Sequence, residues 1–193
     1  MRELLVHEFI SLDGVIQAPG GPDEDTEGGF EHGGWTQAYW HDDIGTRFFE
    51  VMAGADALLL GRKTWEIHGG AFETMDGDPF ADALNAVQKY VVSTTLKDTS
   101  AWRNSTLISE YVPEAVRDLK QQAGKNILLD GSSVLAQELA RNDLIDEYHL
   151  HVYPLVLGGG KRLHPEGHRL DLTLVETKPL PTGVVFMRYR RAE

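Results

Sequence analysis

The chain has 193 residues, 41% hydrophobic and 25% charged, a composition that suits a folded domain of ordinary size and excludes a disordered segment. It contains no cysteine, which excludes disulfides, thiol nucleophiles and Cys-ligated zinc. A formal net charge of −12 argues against duplex nucleic acid or an anionic membrane as a partner, because phosphate contacts need clustered Lys and Arg.

No apolar run is long enough to span a bilayer, and the N-terminus lacks the basic-then-apolar layout of a signal peptide, so a cytoplasmic enzyme or binding protein is expected. Leu4 to Ile10, rich in β-branched and aromatic residues, is predicted as the first strand, ended by the turn Ser11-Leu-Asp-Gly14. From Val15 to about His41 the sequence is Gly/Pro-rich and acidic. With Trp35, Tyr39 and Trp40 in or just after it, this segment is either a loop that covers a site or a solvated loop whose aromatics dock on the core. Its acids lack the calcium-loop spacing, and no metal site is predicted.

Asp43 to Ala53 is predicted as a helix with Asp43 as its cap and Gly54 as its stop. Ala57-Leu-Leu-Leu60 is a buried strand running into Gly61-Arg62-Lys63-Thr64. Two cations at the start of a helix oppose its dipole unless an anion joins them, and Arg suits bidentate phosphate contact, so this turn is read as a ligand site with Thr64 capping a short helix. A loop is expected over His68 to Pro79 and a helix over Phe80 to Val87. Lys89 to Thr95 is predicted as a third strand ending in Ser93, Thr94 and Thr95, at the same sheet edge as Arg62 if the strands are parallel.

Thr106 to Ser109 reads as a strand and Pro113 to Ala123 as a helix. Asn126 to Leu139 reads as a buried strand, a Gly-Ser-Ser turn and a helix start, with Gly131 permitting the tight backbone and Ser132 or Ser133 as N-cap, a junction where a phosphate can sit. In the strand Asp146 to Pro154, His149, His151 and Tyr153 share one side, read as a polar sheet face. Leu170 to Thr177 and Val184 to Tyr189 close the chain as an antiparallel pair. The order predicts an α/β fold of one domain over residues 1–193, a mostly parallel central sheet with antiparallel C-terminal strands and helices on both faces.

Four motifs carry a family resemblance. Gly61-Arg-Lys-Thr-Trp65 resembles the dinucleotide-binding turn of dihydrofolate reductases, and Ile145-Asp-Glu-x-x-Leu-x-x-x-Pro-x-x-Leu-Gly-Gly-Gly160 resembles the reductase domain of the bacterial riboflavin-pathway deaminase-reductase. Ser11-Leu-Asp-Gly14 and Leu129-Asp-Gly-Ser-Ser-Val-Leu135 complete a match that runs in order over nearly the whole chain. The chain thus resembles a stand-alone riboflavin-reductase-like member of the dihydrofolate-reductase fold.

The resemblance implies an NADPH-dependent reductase of a small pterin-, pyrimidine- or riboflavin-precursor-like heterocycle, and a homodimer through the C-terminal strands. It implies that Gly61, Arg62, Lys63 and Thr64 hold the adenosine-side phosphates and that Ser93, Thr94 and Thr95 flank the adenosine. Gly131, Ser132, Ser133 and Val134 would cradle the pyrophosphate, with Ile16 near the nicotinamide. Asp13 is either the proton donor or the cap of its own turn, and Phe9, Trp35, Phe49 and Met52 are the expected substrate wall. The chain departs from the family at Asp130, which sets a carboxylate at the edge of the phosphate turn, and at Gly45, where folate reductases carry an acid. The competing reading is a non-catalytic nucleotide-binding or assembly module that keeps the fold; a flavin-binding member is a third.

Overall fold

Ala57-Leu-Leu-Leu60 and Ile127-Leu-Leu129 are apolar on successive residues, the pattern of strands buried on both faces, and both lie at the centre of the sheet. The computed structural model describes residues 1–110 and 112–192. Its strands are β1 (Leu4–Ser11), β2 (Ala55–Gly61), β3 (Gln88–Val92), β4 (Ser105–Ile108), β5 (Asn126–Asp130), β6 (Glu147–Tyr153), β7 (Leu172–Pro179) and β8 (Val185–Arg191). Its helices are α1 (Asp42–Ala53), α2 (Arg62–Phe72), α3 (Pro79–Ala86), α4 (Val112–Gln121) and α5 (Ser133–Arg141).

The strands form one eight-stranded sheet in the order β4-β3-β2-β5-β1-β6-β8-β7. From β4 to β6 every pairing is parallel, while β8 runs antiparallel to both β6 and β7. Alternation divides the core. Leu4, Val6, Leu59 and Leu129 join Val116, Leu119, Leu135 and Leu139 of α4 and α5 on one face. Leu5, Leu58, Leu60 and Leu128 join Phe48, Val51, Trp65 and Leu84 of α1, α2 and α3 on the other. A third cluster, including Val15, Phe30, Trp35, Ile44 and Tyr153, anchors the acidic loop.

Register brings the ends of the central strands to one edge. Leu59 of β2 pairs with Leu129 of β5, so the β2–α2 and β5–α5 junctions that follow them stand side by side. The structure corrects several expectations. Helix α1 is capped by His41, whose Nδ1 accepts from the Asp43 N–H, and not by Asp43. Helix α2 runs on through His68 to Phe72, where a loop was expected. Strand β3 ends at Val92, because the Ser93 hydroxyl accepts from the N–H groups of Thr95 and Leu96 and folds the chain into a turn. His149 and His151 lie on a covered face, 6% and 0% exposed, and His151 packs against Phe186. Burial first, and then His7, lowers the His151 pKa to about 2, so its ring stays neutral.

Candidate cofactor and substrate cleft

At the edge where β1, β2 and β5 end, a cavity of about 1050 Å³ opens between the two helix starts and the acidic loop. One hydroxyl latches the two junctions together. Ser132 Oγ accepts from the Gly61 N–H at 2.8 Å and donates to Thr64 Oγ1 at 2.9 Å. Ser132 stands at φ 65 and Gly131 at φ 61; a Cβ at residue 131 would lie 2.8 Å from Thr64 Cγ2. The Gly-Ser sequence is therefore required by the close approach of the two turns.

With its hydroxyl committed there, Ser132 occupies the N-cap position of α5 without capping it, and α2, entered through Gly61, has no side-chain cap either. Neither Thr64 nor Ser133 supplies the expected cap. By contrast, α1 is capped by His41 and α3 by Asp78. Acids stand in the first turns of α1, α3 and α4, whereas the first turns of α2 and α5 carry none. Two positive dipole ends with unpaired N–H groups therefore face one cavity, and that donor set fits a pyrophosphate.

The nearby cations are all engaged. Arg62 pairs with Glu66 at 2.9 Å, Lys63 with Glu27 at 2.5 Å, and Lys161 with Asp25 and Glu27 at 2.5 Å. Hydrogen bonds from Lys161 and Lys63 lower the exposed Glu27 carboxyl to about 2, so it remains an anion. The loop carrying these acids is tied down: the Gln17 amide donates to the carbonyls of Asp25 and Glu27, and Trp35 Nε1 donates to the Gln17 carbonyl. Glu27 thus occupies Lys63, and with it the ammonium nearest the start of α2.

On the α1–α3 side of the sheet edge the lining changes character. Asp130 Oδ1 lies 3.8 Å from His7 Nδ1, and its Oδ2 lies 3.9 Å from His68 Nδ1. Burial raises the Asp130 pKa, but His7 and His68 together lower it further than that, and the carboxyl stays ionised. The rings of Phe48, Phe72 and Phe80 complete this wall. Across the sheet edge Glu8 is 4% exposed, with Oε1 unpartnered; burial and the Asp130 charge push its pKa well above 4.5. Acids outnumber bases around the cavity: Asp23, Glu24, Asp25, Glu27, Glu8, Asp130 and Glu138 against Arg62, Lys63 and Lys161.

Of the residues singled out in the sequence, Phe9, Ile16, Gly61, Arg62, Lys63, Thr64, Gly131, Ser132, Ser133 and Val134 line this cavity. Ser93, Thr94 and Thr95 do not; Ser93 is buried and closes its own turn. Trp35 is buried in the third cluster against Tyr153, Met52 is buried in the second cluster, and Phe49 is 40% exposed, all outside the lining. Asp13 also lies outside it. Its carboxylate accepts from Ser11 Oγ, Leu157 N and Gly158 N, and these bonds, the Ser11 hydroxyl foremost, lower it to about 2. It holds two turns together and carries no proton near neutral pH.

Among the lining residues not singled out in the sequence are His7, Glu8, Phe48, His68, Phe72 and Phe80. Glu8 gave a usable signal: a lone carboxylate between Val6 and Ile10, on a strand otherwise buried on both faces, has no cheap place to go.

Residues 2–186 match the family of the RibD C-terminal domain. The chain is 27% identical to YyaP of Bacillus subtilis strain 168 over 194 residues, covering 97% of this chain and 94% of that protein. It is 29% identical to YwjB of the same strain over 192 residues, covering 99% of each. Among solved structures, a Shewanella sp. PV-4 protein assigned by name to riboflavin biosynthesis superposes with a TM-score of 0.74 at 22% identity, covering 99% of both chains. A pyrimidine reductase-like protein from Corynebacterium diphtheriae gives 0.68 at 12% identity, covering 100% of this chain and 92% of that one. A dihydrofolate reductase from Enterococcus faecalis, complexed with NADP(H), gives 0.64 at 16% identity, covering 99% of this chain and 97% of that one. The fold is the dihydrofolate-reductase-like α/β fold that the motif order implied.

Proposed function

Because this chain belongs to the RibD C-terminal domain family, we propose that it is an NADPH-dependent reductase of a small heterocyclic compound. The observation that carries the reading is the pair of uncapped, acid-free helix starts, latched by Ser132 and opening on a single cavity. The N–H groups that begin α5 would take the pyrophosphate. Arg62 and Lys63 would take the adenosine-side phosphates by exchanging Glu66 and Glu27 for them. Ile16, buried where β1 leaves the sheet, would lie against the nicotinamide. When bound, NADPH supplies a hydride, and the protein's part is to orient the two rings and exclude water.

Titration of NADPH and NADH, followed by fluorescence and thermal shift, tests this reading. Tight NADPH binding that Arg62→Ala abolishes and that NADH does not match supports it; binding of neither nucleotide overturns it. NADPH binding without turnover of any heterocycle is the outcome expected of a non-catalytic nucleotide-binding module. The same reading includes a homodimer through β7 and β8, where Leu174 and Val175 are exposed, and sedimentation velocity measures it directly.

A further inference from the structure

The lining of the cavity changes chemistry from side to side, and the side facing α1 and α3 is enclosed by side chains that form a belt. His7 and Phe48 have ring centroids 5.5 Å apart, Phe48 and Phe80 4.5 Å, Phe72 and Phe80 5.3 Å, and His68 and Phe72 5.8 Å. Asp130, 3.8 Å from His7 and 3.9 Å from His68, closes the circuit. All six side chains line the cavity.

We propose that this belt is the substrate subsite and that it takes a flat aromatic ring which is cationic, or presents paired N–H donors, to Asp130. A phosphorylated or carboxylated substrate is excluded. The inference rests on the cofactor reading above for its role in catalysis, but the belt stands on its own contacts.

Three features support it. Phenylalanine faces attract flat rings and cations, and a carboxylate at the rim adds a charge-assisted acceptor. His7 is 2% exposed with both ring nitrogens unpartnered, and His68 Nδ1 is unpartnered as well, so Asp130 is bracketed by groups that have no competing bonds. No Lys or Arg belongs to the belt; the lining cations lie at the helix starts and on the loop side, paired with Glu66, Glu27 and Asp25. Asp23 and Glu24 of the loop line the same cavity and add to its negative charge. Anions are provided for at the helix starts and opposed at the belt.

Three probes of one size separate the possibilities: benzamidinium, benzamide and benzoate, titrated by NMR into the wild type and Asp130→Asn, each with and without NADPH. In the wild type, benzamidinium should bind about ten-fold more tightly than benzamide, the worth of one charge-assisted hydrogen bond, and benzoate should not bind. In Asp130→Asn the preference should shrink to about two-fold, as expected when the acceptor is neutral. Equal binding of benzamidinium and benzamide to the wild type, tighter binding of benzoate, or a preference unchanged in Asp130→Asn overturns the proposal. The wild-type comparison decides the matter even if the variant fails to fold. NADPH binding, scored on the same samples, tests the cofactor reading separately, and either result there leaves the probe ranking interpretable.

Discussion

Replacing Glu8 by Gln should flatten the pH dependence of stability. Glu8 is 4% exposed, Oε1 has no hydrogen-bond partner, and burial followed by the Asp130 charge raises its pKa well above 4.5. In the folded protein it therefore keeps its proton at pH values where the unfolded chain has lost it. Unfolding then releases a proton, so the stabilising contribution is complete below about 4.5 and is lost as pH rises toward the folded pKa. The slope within that window reaches about 1.4 kcal/mol per pH unit. For a chain of this size that slope corresponds to about 3–6 °C in Tm per pH unit. Glutamine keeps the shape and does not ionise. Urea denaturation followed by tryptophan fluorescence, in half-unit steps from pH 5 to 7.5, gives the difference between the two proteins directly. The variant should gain on the wild type steadily as pH rises. Parallel curves would refute the reasoning, because they would mean that Glu8 titrates alike in both states.

Gly131→Ala should be destabilising and should weaken NADPH binding. The left-handed backbone costs about 1–2 kcal/mol for a residue with a Cβ, and the 2.8 Å approach to Thr64 Cγ2 adds about 1–3 kcal/mol of overpacking, measurable by chemical denaturation. Glu27→Gln should strengthen NADPH binding and steepen its loss with added salt, since Lys63 and Lys161 are no longer neutralised by that anion; titration at two ionic strengths checks both effects.

The sheet was largely legible because its signals are local. Apolar runs at Leu58–Leu60 and Ile127–Leu129 marked central strands, and Gly-Arg-Lys-Thr and Asp-Gly-Ser-Ser marked the turns that register then set side by side. What could not be read depends on partners distant in sequence. Helix α2 continues through Gly69, inside the stretch expected as a loop; a Cβ there would approach the Trp102 side chain to 3.1 Å, so the glycine serves packing against a residue distant in sequence. His149 and His151 read as a polar face until β1, β8 and α1 supply the residues that cover it. Ser132 reads as a helix cap, and only the neighbouring β2–α2 turn shows that its hydroxyl is spent as a latch. The substrate wall was the least legible part. The proposed belt draws on β1, α1, α2, α3 and β5, whereas Trp35 and Met52, expected in the substrate wall, are buried in the core.

The central claim is that two helix starts form one nucleotide phosphate site, and amide hydrogen exchange with and without NADPH tests it most directly. Saturating NADPH should slow exchange at residues 62–64 and 133–135 together, and Arg62→Ala should remove the protection at both. Protection at neither junction, or at only one of them, would contradict a shared site.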